Sequence, residues 1–276
     1  MLFYRLMLCL LAPALLIRAA RAGGLSQRLG DAPAGRGPVI WLHAASNGEA
    51  MAARPLIEAL RAAAPDPAIT VTCNTTTGRD LVAGWGLPGV TALLAPLDFR
   101  WALRRFMARV RPQALIVIEN ELWPNRLTMM QAAGKPVIVA SARMSQRSAR
   151  GWQRRRGMAA RVMGAITLLS AQDRASQDRF AELGLTPDRI APVVNLKLTQ
   201  DIPAADAGAV NRLRPLLPRA STVLAASTHE GEDEIILSAF VRARNDRPDL
   251  RLVLAPRHPR RGDDLEVMIT EGGLGC

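Results

Sequence analysis

The chain has 276 residues, of which 49% are hydrophobic, and a formal net charge of +12. A chain of this length can bury a sizeable core and corresponds to roughly two domains of ~100–200 residues each. The basic residues are nearly all arginine, because lysine occurs only at positions 135 and 197. This charge favours an anionic partner: nucleic acid, a phosphorylated ligand or an anionic membrane. The three scattered cysteines fit neither a disulfide framework nor a zinc site.

The N-terminus carries an unbroken apolar run over residues 6–17, followed by Arg18 and Arg21. This run is shorter than the ~20 residues that span a bilayer, but the segment is long enough when counted from the first residue. Residues 20–22 also match the pattern of a signal-peptidase site, so secretion is an alternative. Because arginines follow the run, the sequence predicts an uncleaved membrane-anchor helix over 1–21, spanning or monotopic, with the next domain on the cytoplasmic side.

After a linker rich in Gly, Pro and Arg, short apolar runs alternate with longer segments of helical period. The runs predicted to be strands are Val39–Ala44, Ile69–Cys73, Val90–Ala95, Ala114–Ile118, Val137–Ala140, Ile166–Ser170 and Ile190–Val194. The predicted helices between them include Glu49–Ala63, Phe99–Val110, Arg126–Ala133, Ser145–Met163 and Ala175–Leu183. This alternation, with strands that are apolar on both faces, indicates an α/β fold with a doubly wound, Rossmann-like parallel sheet.

A Pro- and Ala-rich stretch at 201–220 predicts a linker between a Rossmann-like domain at 22–200 and a second one that begins at 221 and continues to 276. The elements predicted in the second domain are a strand at 223–226, a helix at 232–244 and a strand at 250–254. Two strands are fewer than the ~5 of a usual sheet, so this second domain is expected to be incomplete.

Polar residues follow six of the predicted strands. In an open parallel sheet, ligands bind in the crevice beyond the carboxyl ends of the strands, so these residues are expected to converge there. The candidate turns are His43 to Glu49, Glu119 to Pro124, Ser141 to Arg143, Asn195 to Lys197, Ser227 to Gly231 and Pro256 to Pro259. All three histidines of the chain fall in these turns, but they lack the spacing of metal ligands, and no metal site is predicted.

Simpler structural roles are open for the same residues. Glu49 can complement the dipole of the helix that it begins, and Glu119 and Glu121 can be solvated charges at a strand end. The acidic run at 230–234 is explained by capping of the following helix. Lys197 stands out in an arginine-rich chain, because lysine provides a compact point charge where arginine provides a bidentate clamp.

Six segments, taken together and in this order, resemble the bacterial 3-deoxy-D-manno-octulosonic acid (Kdo) transferase family: IWLHAASNGEA, IENELWPN, SARMSQRS, VNLKLT, STHEGEDE and LAPRHPRR. The leader MLFYRLMLCLLAPALLI is also typical of the family. The resemblance implies a GT-B-type enzyme with two Rossmann-like domains. Such an enzyme transfers Kdo from CMP-Kdo to the lipid A precursor (lipid IVA) of lipopolysaccharide, with inversion. It further implies a location on the cytoplasmic face of the cell inner membrane, with no cofactor and no nucleic-acid partner.

The resemblance also implies roles for individual residues. Glu49 corresponds to the general base that deprotonates the acceptor hydroxyl, and Glu119 and Lys197 correspond to residues that stabilise the transition state. The implied substrate-binding residues are Ser46, Gly48, Glu121, Arg143, Asn195, Thr228, His229, Glu230, Pro256, Arg257 and His258. A carboxylate base contributes ~10²–10⁴-fold to such a reaction, and a glycine before it is expected to let the backbone approach the ligand closely.

Some positions depart from the family pattern. Asn47, Asn120 and Val194 stand where the family commonly has a hydrophobic residue, threonine and glycine. The family's Gly-rich stretch that completes the CMP site has no counterpart in these 276 residues, so the chain alone is expected to be inactive.

The sequence leaves two other functions open. One is a different sugar-nucleotide enzyme of the same fold, such as a UDP-sugar epimerase, for which the anchor would be unexplained. The other is an arginine-rich nucleic-acid-binding protein, which is disfavoured because the chain has few aromatic residues for base stacking.

Overall fold

A computed structural model describes residues 1–64, 66–199 and 205–275. The chain divides into two compact units, Met1–Asp201 and Ile202–Cys276.

The first unit is built on a seven-stranded parallel sheet. Its strands are β1 (Val39–His43), β2 (Ala68–Cys73), β3 (Val90–Leu94), β4 (Pro112–Ile118), β5 (Val137–Ala142), β6 (Leu168–Ala171) and β7 (Ile190–Ala191). Its helices are α1 (Leu2–Arg21), α2 (Leu25–Arg28), α3 (Asn47–Ala63), α4 (Thr76–Gly84), α5 (Arg100–Val110), α6 (Pro124–Ala132), α7 (Gln146–Gln153), α8 (Arg156–Ala165) and α9 (Arg174–Glu182). The strand order is β3-β2-β1-β4-β5-β6-β7. The strands β2 and β3 are added on one side of β1 and the strands β4 to β7 on the other, so the topological switch point lies between β1 and β4. The predicted doubly wound α/β fold is confirmed.

Both faces of this sheet are covered. Successive residues of a strand point to opposite faces, so Trp41 of β1 belongs to one core and Leu42 to the other. Trp41 packs against Phe106 of α5, with ring centroids 4.6 Å apart, whereas Leu42 belongs to the cluster that contains Ile57 of α3. Because the faces are filled by helices, the strand ends are the part of the sheet that a ligand can reach.

One predicted helix is wrong in extent. The segment 145–163 forms two helices, α7 and α8, because Arg155 leaves the helical region with ψ of 48°. The break lies between Gly151 and Gly157, and glycine lowers helix stability by about 1 kcal/mol relative to alanine.

The helix α4 was not predicted. Its N-cap residue Thr75 accepts a hydrogen bond from the Gly78 N–H at 3.0 Å, which is the usual way for threonine to begin a helix. Threonine at position 75 was therefore a sequence signal for this helix.

The helix α1 packs along the first unit by one face only. Tyr4, Leu8, Ala12 and Leu15 recur at helical spacing and contact a small cluster around Phe99 at the start of α5. The rest of its surface is apolar and open, as shown by the exposed side chains of Leu2, Phe3, Leu6, Leu10, Leu11 and Ile17. Among the described residues, α1 is the helix that has the length and apolar composition to cross a membrane.

The second unit contains two parallel strands, β8 (Thr222–Thr228) and β9 (Arg251–Pro256). Its helices are α10 (Ala207–Leu213), α11 (Glu232–Asp246) and α12 (Gly262–Glu271). The helix α10 lies inside the segment predicted as a linker, of which residues 201–204 fall outside the described residues. The predicted strand–helix–strand order is present, and both strands extend further toward the candidate turns than predicted.

Candidate active site

The candidate residues of the first unit gather where the strand order reverses. In the register of the neighbouring strands β1 and β4, His43 pairs with Val117. The turn that leads to Glu49 and the turn that begins at Glu119 therefore start side by side at the carboxyl edge of the sheet. This switch point is where ligands bind in open α/β sheets.

Glu49 lies in the first turn of α3, where both of its carboxylate oxygens accept local hydrogen bonds. The Ala45 N–H donates to Oε2 at 2.9 Å, and the Ser46 hydroxyl donates to Oε1 at 3.1 Å. The Glu49 N–H donates in return to Ser46 Oγ at 3.3 Å, as in a capping box. The helix-terminus role that the sequence left open is therefore present. Each oxygen keeps a second lone pair, so the cap does not prevent Glu49 from accepting a proton.

Burial raises the pKa of Glu49 to about 7. The Ala45 N–H opposes this increase, whereas the negative charges of Glu119 and Glu121 add to it. A carboxyl group with a pKa near neutrality exchanges protons readily at physiological pH, which is the property required of a general base or acid.

Glu119 and Lys197 form an ion pair, with Nζ 2.6 Å from Oε1. Glu119 directly follows β4, is only 9% exposed and has φ of 58°, a left-handed conformation that is strained for a residue with a side chain. Lys197 is positioned by Asn195, whose Oδ1 accepts the Lys197 N–H at 3.0 Å. The structure therefore brings together three of the predicted residues from the turns after β4 and β7.

Glu121 is held by its neighbours. Its Oε2 accepts hydrogen bonds from Trp123 Nε1 at 2.6 Å and Asn74 Nδ2 at 3.0 Å, and His43 Nε2 lies 3.5 Å away. Burial alone would raise the pKa of Glu121, but these contacts lower it to about 2. Glu121 is therefore a fixed anion that orders the turn, and at least one of its oxygens is occupied by the protein itself.

His43, which the predicted strand Val39–Ala44 and the candidate turn both included, is the last residue of β1 and is fully buried. Its Nδ1 lies 3.0 Å from both the carbonyl oxygen and Oγ1 of Thr72 on β2. Burial lowers the pKa of His43 to about 4, and the positive charge of Arg126 acts in the same direction. The imidazole is therefore neutral at pH 7. It connects the end of β1 to Thr72 of β2 and is not exposed to a ligand.

Asp98 was missed by the sequence analysis. Its carboxylate accepts the N–H groups of Asn125 at 2.9 Å and Arg126 at 2.8 Å, which caps α6. The Tyr4 hydroxyl of α1 donates to the same carboxylate at 2.8 Å. Asp98 follows β3, as Asn74 follows β2, so the rule applied to the other strands would have found both.

The substrate-binding roles predicted for Gly48 and Arg143 stay predictions. Gly48 lies in the first turn of α3 without a positive φ, and a Cβ atom built there would meet only Ser46 Oγ at 4.0 Å. The protein's own packing therefore does not require glycine at this position. Arg143 is exposed beyond β5, and among the described residues Glu119 forms its ion pair with Lys197 and not with Arg143.

The second unit has a cavity of about 500 Å³ at the carboxyl ends of its strands. The cavity is lined by His229, Glu230, Glu234, His258, Arg260, Arg261, Asp264 and Met268. The two imidazole rings lie 6.4 Å apart. Three of these residues were predicted, but the guanidinium groups of the lining come from Arg260 and Arg261 instead of Arg257.

The remaining predicted residues of the second unit belong to the strands. Thr228 is the last residue of β8 and is buried, and its carbonyl oxygen accepts the Arg257 N–H at 3.0 Å. Pro256 ends β9. Arg261 donates to the buried Asp233 at 2.5 Å, which fixes its guanidinium group at the cavity.

Solved structures of UDP-GlcNAc 2-epimerases share this fold. The enzyme from Neisseria meningitidis, bound to UDP-GlcNAc, gives a TM-score of 0.60 at 11% identity over 85% of this chain and 69% of that chain. The enzyme from Methanocaldococcus jannaschii gives 0.59 at 13% identity over 86% and 68%. At this identity the likeness concerns the fold alone. It defines the class as a GT-B-like α/β protein with Rossmann-like units.

The family follows from the sequence. Residues 23–200 match the family model for 3-deoxy-D-manno-octulosonic-acid transferase (Kdo transferase), and the chain belongs to this family. The Kdo transferase of Haemophilus influenzae is 36% identical over 223 residues, which are 80% of this chain and 52% of that protein. The one from Bordetella pertussis is 32% identical, over 93% of this chain and 63% of that protein. The chain thus spans between half and two thirds of the length of these relatives.

Proposed function

We propose that the protein transfers Kdo from CMP-Kdo to the lipid A precursor in lipopolysaccharide biosynthesis, with inversion at the anomeric carbon. Family membership supports the reaction type. The observation that carries the proposal is Glu49, a partly buried carboxyl group with a pKa of about 7, at the switch point of the sheet.

In the proposed reaction, the Glu49 carboxylate accepts the proton of a sugar hydroxyl on the acceptor. The hydroxyl oxygen forms the new bond to the anomeric carbon of Kdo as the bond between that carbon and the phosphate oxygen of CMP breaks. The electron pair of the broken bond leaves with CMP, and Glu49 later returns its proton to water. Because a pKa near 7 matches the operating pH, a substantial fraction of Glu49 is deprotonated, and the carboxylate is basic enough to accept the proton of the acceptor hydroxyl.

The Glu119–Lys197 pair supplies fixed charge to the same edge. The donor sugar carries a carboxylate, and CMP gains negative charge as it departs. An ammonium group that is already oriented stabilises such charge without reorganisation during the reaction. Glu119 and Asn195 hold Lys197 in that orientation, and the strained backbone at Glu119 is consistent with a functional site.

The second unit is proposed to bind the CMP part of the donor. Its cavity combines two guanidinium groups with His229 and His258, and arginine is well suited to a phosphate group. In this proposal, residues 22–200 form the acceptor domain, 201–220 the linker and 221–276 the beginning of the donor domain.

The helix α1 is proposed as a monotopic anchor at the cytoplasmic face of the inner membrane. One face of α1 is packed against the first unit, so lipid cannot surround it as it surrounds a spanning helix. The open face is apolar, and the net charge of +12 favours an anionic membrane surface.

The test is a transfer assay with the protein expressed from the complete reading frame. Incubation with CMP-Kdo and lipid IVA is expected to add the mass of Kdo to the lipid and to release CMP, both measured by mass spectrometry. Conversion of UDP-GlcNAc to its 2-epimer, without any Kdo transfer, would contradict the proposal and favour the epimerase alternative.

A further inference from the structure

A groove with a volume of about 430 Å³ lies between the N-terminal helix and the turn that follows β4. One wall comes from α1 and includes Phe3, Tyr4 and Met7. The opposite wall comes from the α7–α8 segment and includes Trp152 and Met158. The volume lies within the ~300–1,000 Å³ that is usual for small-molecule sites, and the walls are largely aromatic and apolar.

The floor of the groove is the turn that carries the carboxylates of the first unit. Asn120, Glu121, Leu122 and Trp123 line it, and Asn120 directly follows Glu119, the partner of Lys197. The indole of Trp123 is fixed by its hydrogen bond to Glu121. One end of an apolar groove therefore meets the polar edge of the sheet, as a site for an amphipathic ligand requires.

The segment that carries the opposite wall of the groove is strongly basic. The segment 143–161 contains seven exposed arginines and no acidic residue: Arg143, Arg147, Arg150, Arg154, Arg155, Arg156 and Arg161. Within the described part of the chain, none of these seven forms an ion pair with a carboxylate. Arg155 lines the groove itself, and Arg147 shares a neighbouring cavity with Trp152 and Met158. An anionic ligand would therefore find unpaired guanidinium groups beside the apolar walls.

The position of α1 connects the groove to the lipid phase. Phe3 is 65% exposed and lies on the same helix as Leu6, Leu10 and Leu11, whose side chains are also exposed. An apolar helix surface of this extent needs a membrane or a partner to cover it. Phe3 belongs to both the exposed apolar surface of α1 and the groove lining, so the two are adjacent.

We propose that the groove holds an acyl chain of the phosphorylated glycolipid acceptor. The lipid phosphate then lies against the exposed arginines of segment 143–161, and the saccharide lies at the sheet edge that carries Glu49 and Glu119. This inference rests on the proposed function and specifies how its lipid substrate is held. An ordinary phospholipid satisfies the apolar walls and the basic rim, but it offers no sugar hydroxyl to the carboxylates.

The main test fills the groove with a larger side chain. In the protein from the complete reading frame, Met158→Trp is expected to raise the KM for lipid IVA at least tenfold. Transfer to the same phosphorylated disaccharide without its acyl chains is expected to stay within twofold. The matched control is Ala160→Trp, an exposed position two residues along α8 that does not line the groove, for which both acceptors should behave as with the parent protein.

The outcomes separate this inference from the proposed function. Absence of transfer to either acceptor by the parent protein would overturn the proposed function. If the parent transfers normally, two results would contradict the proposed role of the groove. One is an equal loss of transfer to both acceptors in Met158→Trp, and the other is no loss at all.

A second measurement covers the case in which Met158→Trp fails to fold. Lipid IVA with brominated acyl chains is expected to quench the fluorescence of the parent protein, and Trp152→Phe should reduce that quenching by at least a third. Equal quenching by a brominated phosphatidylglycerol at the same concentration would contradict an acceptor-specific site, and unchanged quenching in Trp152→Phe would contradict this location.

Discussion

The strand ends of the two units differ in how their polar groups are held. In the first unit, Glu49, Glu119 and Glu121 each have identified donors or a cation within hydrogen-bond distance. In the second unit, His229 and His258 are exposed at the wall of an open cavity. The polar groups of the first edge are fixed by contacts within the protein, whereas the second edge surrounds an open cavity with carboxylates, imidazoles and two guanidinium groups. Under the proposed function, proton transfer takes place at the first edge and the donor phosphate binds at the second, and the following variants test that division.

The largest expected effect tests the acidic edge. Glu49→Gln should lower kcat at least a hundredfold and leave the affinity for CMP-Kdo nearly unchanged, because the amide cannot accept the hydroxyl proton. The variant keeps an oxygen that can accept the Ala45 N–H, so the helix cap is retained. Rate measurements should include Glu58→Gln, which alters an exposed carboxylate of the same helix paired with Arg54. If Glu49→Gln and Glu58→Gln are equally active, Glu49 only caps α3.

The second prediction concerns the ion pair. Lys197→Met should lower kcat by at least tenfold, since it removes the fixed cation from the developing negative charge. Glu119→Gln should have a smaller effect, and the double variant should be no worse than Lys197→Met, because the two groups act as a unit.

Single-turnover rates are the appropriate measurement for this pair. Lys135→Met is the control, because within the described residues the Lys135 ammonium group donates to Gln113 on the surface, away from the site. Fully additive losses in the double variant would show that Glu119 and Lys197 act separately.

The third prediction concerns the cavity of the second unit. Arg260→Ala should raise the KM for CMP-Kdo about tenfold, equivalent to about 1.4 kcal/mol, and change kcat little. Arg257→Ala should have a smaller effect on KM, since Arg257 is not part of the cavity wall. If steady-state kinetics show a larger increase in the KM for CMP-Kdo with Arg257→Ala than with Arg260→Ala, Arg257 is the donor-binding residue, as the resemblance implies.

The smallest expected effect is on stability. Because the pKa of Glu49 is raised on folding, its protonated form favours the folded state, and that contribution is lost as the pH rises from about 4.5 through about 7. Glu49→Gln should therefore stabilise the protein at pH 8 by about 1 kcal/mol, after allowance for solvent screening, and should have little effect at pH 4.5. Thermal unfolding at both pH values measures this difference, and a destabilised variant at pH 8 would contradict the raised pKa.

The sequence predicted the sheet of the first unit because each strand is a distinct apolar run flanked by turns. It also predicted that Glu49, Glu119 and Lys197 lie at one edge, since the carboxyl ends of parallel strands meet there. Asn74 and Asp98 follow the same rule and were accessible to it.

Other features of the site depend on tertiary packing. Arg126 is fully buried below the site, with its guanidinium group 5.4 Å from the Trp41 ring, and no local pattern marks such a residue. The raised pKa of Glu49 likewise depends on burial and on two carboxylates that are distant in sequence. The roles of Arg260 and Arg261 depend on how the chain turns after β9, which periodicity does not define.

The hydrogen bond between Tyr4 and Asp98 connects α1 to the start of α6. Asp98 is buried, and its carboxylate caps the N-terminus of α6. This helix begins at Pro124, directly after the turn that carries Glu119 and Glu121. Displacement of α1 would remove the hydrogen bond that the Tyr4 hydroxyl donates to the Asp98 carboxylate, and this loss would destabilise the start of α6. Under the proposed function, removal of α1 would weaken the candidate active site through the loss of the Tyr4 hydrogen bond. A preparation that lacks the first few residues should therefore be compared with the intact chain before its activity is interpreted.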